Sequence, residues 1–142
     1  MAEIVQLTAV NEKTCKEINA LLPQLSDART SLGLLQATAA SPTAELWVVT
    51  EAGKIVGMAT LVLMMRVAGM SSRIEDFVVD EAYRGKGLGK MLCGKLVERA
   101  KARGAYSIHL TSRPDRVAAN ALYKKLGFEQ RNTNAYRLQL KR

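Results

Sequence analysis

The sequence predicts an α/β domain of the mixed α+β kind, with elements in the order βααβββαβαββ. Two observations carry that prediction. Ile74 to Val79 is an apolar, strand-like run that breaks at Asp80-Glu81 into a turn where glycines alternate with Arg84, Lys86 and Leu88. From Leu88 the pattern turns helical, with Leu88, Leu92, Leu96 and Ala100 stepping by four and Met91 and Val97 beside them. Around this strand–turn–helix unit, short apolar runs bounded by turn residues alternate with amphipathic stretches. The expected architecture is a mixed, mostly antiparallel sheet of about six or seven strands with four helices, in a single domain over residues 1–142.

Taken in order, Glu3 to Val10 is the first strand. Asn11 is an N-cap residue, and Cys15, Ile18, Leu21 and Leu22 follow at helical spacing until Pro23 ends the run. Ser26 or Asp27 caps a second helix through Leu32, Leu35 and Ala37, ending near Ser41-Pro42. Ala44 to Thr50, around Trp47, and Ile55 to Met65 form a hairpin across Glu51–Lys54, and Arg73 to Val79 completes an antiparallel meander. The helix from Leu88 stops at Arg103-Gly104. Ser107 to Thr111 is a short strand that a helical crossover allows to run parallel to 73–79. Val117 to Leu126 is the last helix, closed by Gly127, and Phe128–Arg131 and Ala135–Leu140 are two final strands.

Composition narrows the function classes. A 48% hydrophobic, 24% charged chain is ordinary for a globular domain and argues against disorder. Cys15 and Cys93 lie far apart, and with the single His109 they suggest neither a disulfide framework nor a metal site. A reduced, cytoplasmic protein is expected, with no secretory leader and no run long enough to span a membrane. Formal net charge is +8, but the basic residues are spread and aromatics are only 5%, so nucleic acid is not the expected partner. The excess charge suits attraction of a polyanionic ligand.

Glycines let a backbone approach a ligand closely, and a helix start offers unpaired N–H groups and the positive end of its dipole. The 84–90 turn is therefore an anion site, suited to a phosphate or pyrophosphate. It is not a Walker loop, because Gly85-Lys86 is followed by Gly87 rather than Ser or Thr, nor a dinucleotide fingerprint, because Lys90 stands where the last Gly belongs. The stretch Arg84-Gly85-Lys86-Gly87-Leu88-Gly89-Lys90 resembles the acetyl-CoA pyrophosphate loop of the GNAT superfamily of N-acetyltransferases, and Leu122-Tyr123-Lys124-Lys125-Leu126-Gly127-Phe128 resembles that family's L-Y-x-x-x-G-F ending. Ile74-Glu75-Asp76-Phe77-Val78-Val79 resembles the glucosamine-phosphate acetyltransferase branch.

The resemblance implies a GNAT fold and acetyl transfer from acetyl-CoA to a primary amine of a small molecule or amino sugar, without a metal. The alternatives are a protein N-terminal or lysine acetyltransferase and a non-catalytic acyl-CoA-binding module. The resemblance implies that CoA is held by Arg84, Gly85, Lys86, Gly87, Leu88, Gly89 and Lys90 and by the backbone of Phe77, Val78 and Val79, with Arg116 and Asn120 contributing. Tyr123 is implied as the acid that protonates the leaving sulfur, and Glu75 as a water-relayed base or acceptor ligand, the alternatives being a structural ion pair of Glu75 with Arg73 and a reaction without a dedicated base. Strand alternation puts Glu75 on the face of Phe77 and Val79, and Asp76 on the face of Ile74 and Val78. Helical spacing puts Arg116, Asn120 and Tyr123 on one face, opposite Ala119, Leu122 and Leu126. Family habit also implies an acceptor-covering loop at Pro23–Ser31, in which Asp27 and Arg29 read as solvated capping residues in preference to acceptor contacts, and a homodimer. His109 and Cys93 read as packed residues rather than catalytic ones.

Overall fold

In a computed structural model of the chain residues 1–141 are described, and they form two compact units, Met1–Thr111 and the segment from Ser112 onward. The first unit is built on a sheet of five strands, β1 (Ala2–Leu7), β2 (Ala44–Glu51), β3 (Lys54–Arg66), β4 (Gly69–Val79) and β5 (Ile108–His109), lying side by side in that order. The first four are antiparallel neighbours, and β5 runs parallel to β4. The meander expected from the apolar runs is present, and its strands are longer than the sequence suggested.

Alternation along β2 sends its two sets of side chains to opposite layers. Leu46 and Val48, with Met58 on β3 and Val78 on β4, pack against Ile18, Leu21, Leu22 and Leu35. Those residues come from α1 (Glu12–Leu21), a single tight turn after it, and α2 (Leu32–Ala40). Asn11 caps α1 by accepting from the Thr14 N–H at 2.9 Å. The second helix starts later than Ser26 or Asp27, because Ser31 is the cap, accepting from the Leu34 N–H at 3.1 Å. Ser26 instead accepts from the Ala28 N–H at 3.1 Å, a local turn that competes with helix formation. Asn19 closes the intervening loop, accepting from the Thr30 N–H at 2.9 Å and donating to the Thr30 carbonyl at 3.0 Å.

The other face of the sheet is covered by α3 (Leu88–Ala102), whose Leu88, Leu92, Cys93, Leu96 and Ala100 are buried as their spacing predicted. Each such leucine is worth about 2 kcal/mol in apolar burial. The helix ends in a Schellman motif at Gly104, with the Ala105 N–H donating to Ala100 and the Gly104 N–H to Lys101.

The second unit contains α4 (Val117–Lys125). Its end is again a Schellman motif, with the Phe128 N–H donating to Tyr123 at 2.9 Å and the Gly127 N–H to Lys124 at 3.1 Å. Gly127 takes a φ of +97°, which disfavours any side chain there. The two final strands are a correction: neither 128–131 nor 135–140 forms a strand among the described residues. The alternation of Tyr136, Leu138 and Leu140 is strand-like, but all three are more than four-fifths exposed, so no core rewards that pattern. The expected strand 107–111 likewise shortens to Ile108–His109.

Candidate active site

The central feature is a β-bulge in β4. Thr60 pairs with Glu75 and Met58 with Val78, so Ala59 alone faces the two residues Asp76 and Phe77. Asp76 absorbs the extra residue with a φ of +54°, a conformation that Asp tolerates better than most residues. The bulge shifts the register, which corrects the sequence expectation for these faces. Thr60 and Met58 share a face of β3, so Glu75 lies on the face of Val78 rather than of Phe77 and Val79. Glu75 and Asp76, which plain alternation would separate, both line one pocket.

That pocket is open, of about 440 Å³. Ala37, Thr38 and Ser41 from the end of α2 form one wall, and Ala44, Thr60 and Val62 from β2 and β3 form another. Glu75 also accepts from Arg73 Nε at 3.4 Å. Thr60 was not singled out from the sequence, although it is the one hydroxyl in the run Ile55 to Met65.

Beyond the bulge β4 has β3 on one side only. Its pairing with β5 consists of Ser72 with Ile108 and Arg73 with His109. The pairing with β5 ends there, and among the described residues no strand pairs with that side of β4 from Ile74 on. Phe77, Val78 and Val79 are buried, so their side chains serve the core.

The glycine turn follows directly. A single helical turn at Glu81–Tyr83 is capped by Asp80, which accepts from the Ala82 N–H at 3.0 Å. Gln24 ties it to the α1–α2 loop, accepting from the Glu81 N–H at 2.9 Å. Arg84 folds back and donates through Nε to the Val79 carbonyl at 3.0 Å, fixing the turn to the end of β4. Lys86 Nζ lies 5.2 Å from the centre of the Tyr83 ring. Gly87 is the N-cap of α3 with a φ of +79°, and no side chain caps the helix. The N–H groups of Leu88, Gly89 and Lys90 are thus presented at the positive end of the dipole. Leu88 itself is buried, so only its backbone faces the turn.

In the second unit Tyr123 is the most buried residue of α4, at 5% exposure, with its ring edge-on to Phe128 at 5.9 Å. The expected split of α4 into a polar face and a core face is not realised. Tyr123 is buried while Leu122 and Leu126 are only partly so, and Arg116, Ala119 and Asn120 are partly buried with them. Asn120 Nδ2 donates to the carbonyls of Arg113 and Arg116, both at 2.9 Å, which fixes the entry to the helix.

The residues expected to be packed are packed. Burial pushes the Cys93 thiol up to about 11, far from a thiolate nucleophile at neutral pH. His109 Nε2 is 3.1 Å from Ser107 Oγ and half-buried. Asp27 and Arg29 are exposed or nearly so, and Arg29 donates to the neighbouring Ala28 carbonyl at 3.0 Å. Among the described residues no group of His, Cys, Asp and Glu is arranged to hold a metal ion, and no helix is long and apolar enough to cross a membrane.

Glucosamine 6-phosphate N-acetyltransferase of Trypanosoma brucei brucei is 33% identical over 90% of this chain and 92% of its own length. Glucosamine 6-phosphate N-acetyltransferase 1 of Oryza sativa subsp. japonica is 38% identical over 48% of this chain, a match that spans only 39% of that protein. The crystal structure of a Trypanosoma brucei acetyltransferase, 31% identical, superposes with a TM-score of 0.79 over 99% of this chain and all of that one. The model of the acetyltransferase (GNAT) family matches residues 13–128. That span holds the bulged strand, the glycine turn and the Schellman-closed Tyr123–Phe128 ending, and the chain belongs to the GNAT family of N-acetyltransferases.

Proposed function

We propose that the chain, with residues 1–142 acting as one domain, transfers the acetyl group of acetyl-CoA directly to a primary amine of a small molecule or amino sugar. The observation that carries this is the end of the β4–β5 pairing at Arg73–His109, after which the bulged end of β4 runs on to the uncapped, glycine-led start of α3. CoA is held along Phe77–Val79, and its pyrophosphate rests on the backbone N–H groups of Arg84 to Lys90. Arg116 and Asn120 are assigned to the cofactor on the motif match alone. Asn120 Nδ2 is spent on two carbonyls, so Oδ1 is the atom left for the pantetheine.

The reaction balances as follows. The substrate ammonium gives a proton to Glu75 or to water, and the free amine attacks the thioester carbonyl. The tetrahedral intermediate collapses with rupture of the C–S bond, and Tyr123 protonates the departing thiolate. The products are the N-acetyl amine and CoA thiol. Backbone N–H groups of β4 supply the polarising charge at the carbonyl oxygen.

The name of the Trypanosoma brucei brucei relative supports an amino-sugar acceptor. The proposal extends to a cytoplasmic enzyme that forms a homodimer. The test is acetyl-CoA with a panel of small amines, amino sugars and peptides, reading release of free thiol. Thiol release with an amine or amino sugar is expected, and release only with peptides would replace this reading by protein acetylation.

A further inference from the structure

We propose that Gln24, in the tight turn that follows α1, is a positioning residue for the CoA pyrophosphate site. Its carboxamide fixes the stem from which the glycine turn springs, and it strengthens CoA binding by acting through Asp80 and Glu81. This rests on the acetyl-transfer reading above and adds a residue to its cofactor site.

The glycine turn needs such support. Gly85 and Gly87 take φ values of +81° and +79°, in the region where glycine moves most freely. Residues 84–87 are exposed, so packing holds them only weakly. A cradle of backbone N–H groups binds an anion well when those groups already converge, because ordering them on binding costs conformational entropy. The stem, Asp80–Tyr83, is where that order is imposed. The Asp80 N–H donates to the Val56 carbonyl on β3 at 2.8 Å, and the Tyr83 N–H donates to the Asp80 carbonyl at 2.8 Å.

Gln24 grips the same stem from another element, 57 positions away from Glu81 along the chain. Its Oε1 accepts from the Glu81 N–H at 2.9 Å. A backbone N–H can only donate, so this bond sets the flip of the carboxamide and turns Nε2 toward Asp80 Oδ1, at 3.5 Å. The same Oδ1 accepts from the Ala82 N–H at 3.0 Å. One side chain thus meets both a first-turn N–H that the stem leaves without an internal acceptor and the carboxylate that caps the stem. The base under Gln24 is rigid. Pro23 has a fixed φ, and Leu21 and Leu22 just before it are buried. The N–H groups of Leu25 and Ser26 both donate to the Leu22 carbonyl, at 2.9 and 3.0 Å. A side chain on such a base passes its geometry on to the exposed turn.

The experiment titrates the full chain with CoA by calorimetry and follows amide hydrogen exchange of the CoA-free protein. Gln24→Met keeps the length of the side chain and removes both polar atoms. We expect its Kd for CoA to rise roughly tenfold, the scale of one hydrogen bond lost from the preorganised turn. Exchange should accelerate at residues 81–90 and stay at the parent rate in the sheet and the body of α3.

An unchanged Kd in the folded Gln24→Met protein overturns the proposal. So does a weaker Kd with parent-like exchange at 81–90, which would make Gln24 a direct contact of the cofactor. A weaker Kd with faster exchange throughout the sheet overturns it as well, and makes Gln24 a residue of the general fold. A parent chain that neither binds CoA nor is stabilised by it overturns the acetyl-transfer reading itself.

Discussion

At the scale of single residues, Glu45 has a structural role that sequence reasoning did not find. Its side chain is 2% exposed, yet Arg99 grips both carboxylate oxygens at 2.9 Å, and Arg103 reaches one of them at 2.6 Å. The Trp47 indole N–H donates to it as well, at 2.9 Å. These partners hold its carboxyl at about 2, with Arg99 the largest cause, against an ordinary value of 4.5. A depressed carboxylate stabilises the fold above its unfolded pKa and loses that contribution as pH falls through the folded one. The contribution, about 3 kcal/mol at neutral pH, should therefore fade between about pH 4.5 and 2. Urea unfolding of Glu45→Gln and the parent should differ by about that much at pH 7 and converge near pH 2; a difference independent of pH would contradict the ion cluster. Tyr123 is the second residue to test. Tyr123→Phe removes only the hydroxyl, so the Phe128 contact and the fold should survive. General acid catalysis is worth on the order of 10²- to 10⁴-fold, and turnover should drop in that range while the thermal shift by acetyl-CoA persists. Parent-like turnover would make Tyr123 the aromatic half of the Schellman contact and nothing more.

At the scale of elements, what was legible in the sequence followed from local rules. The glycine turn was legible because a positive φ at Gly85 and Gly87 is a demand that only glycine meets easily. The L-Y-x-x-x-G-F ending has a physical reading too. Tyr123 and Phe128 are the two positions of a Schellman motif that touch, and Gly127 is its left-handed residue. The bulge was not legible. Nothing in Ile74–Val79 marks where an extra residue enters, because the register is set by pairing with β3. Period-two reasoning therefore put Glu75 and Asp76 on opposite faces and hid the pocket. Thr60 and Glu45 were missed for a related reason, since the pocket that Thr60 lines and the arginines that hold Glu45 come from other elements. The turn offers a direct test of the anion site. A Cβ at Gly87 would touch nothing within 4 Å, so Gly87→Asp should fold, with modest backbone strain. Its carboxylate would then stand where the pyrophosphate is expected, and the thermal shift by CoA should vanish. A retained shift in the folded variant would move the phosphate site elsewhere.

At the scale of the whole molecule, charge and the exposed terminal stripe act in opposite directions. Every copy carries a formal charge of +8, which favours the approach of a polyanion such as the proposed CoA and makes two copies repel. Tyr136, Leu138 and Leu140 alternate with Arg137, Gln139 and Lys141, and the three apolar side chains are almost fully exposed. A segment of this pattern gains backbone hydrogen bonds and apolar burial by pairing with a second copy. If the dimer forms in this way, its attraction is apolar and its repulsion is Coulombic. Added salt screens the second and leaves the first intact. Sedimentation should show a monomer–dimer equilibrium that tightens between low and moderate salt, opposite to the response of a dimer held by ion pairs. Leu138→Asp should shift it to monomer while leaving the thermal shift by acetyl-CoA in place, because the tail lies outside the glycine turn and the bulged strand. A single monomer at every concentration and salt would remove the dimer, and a dimer indifferent to Leu138→Asp would place its interface on another surface.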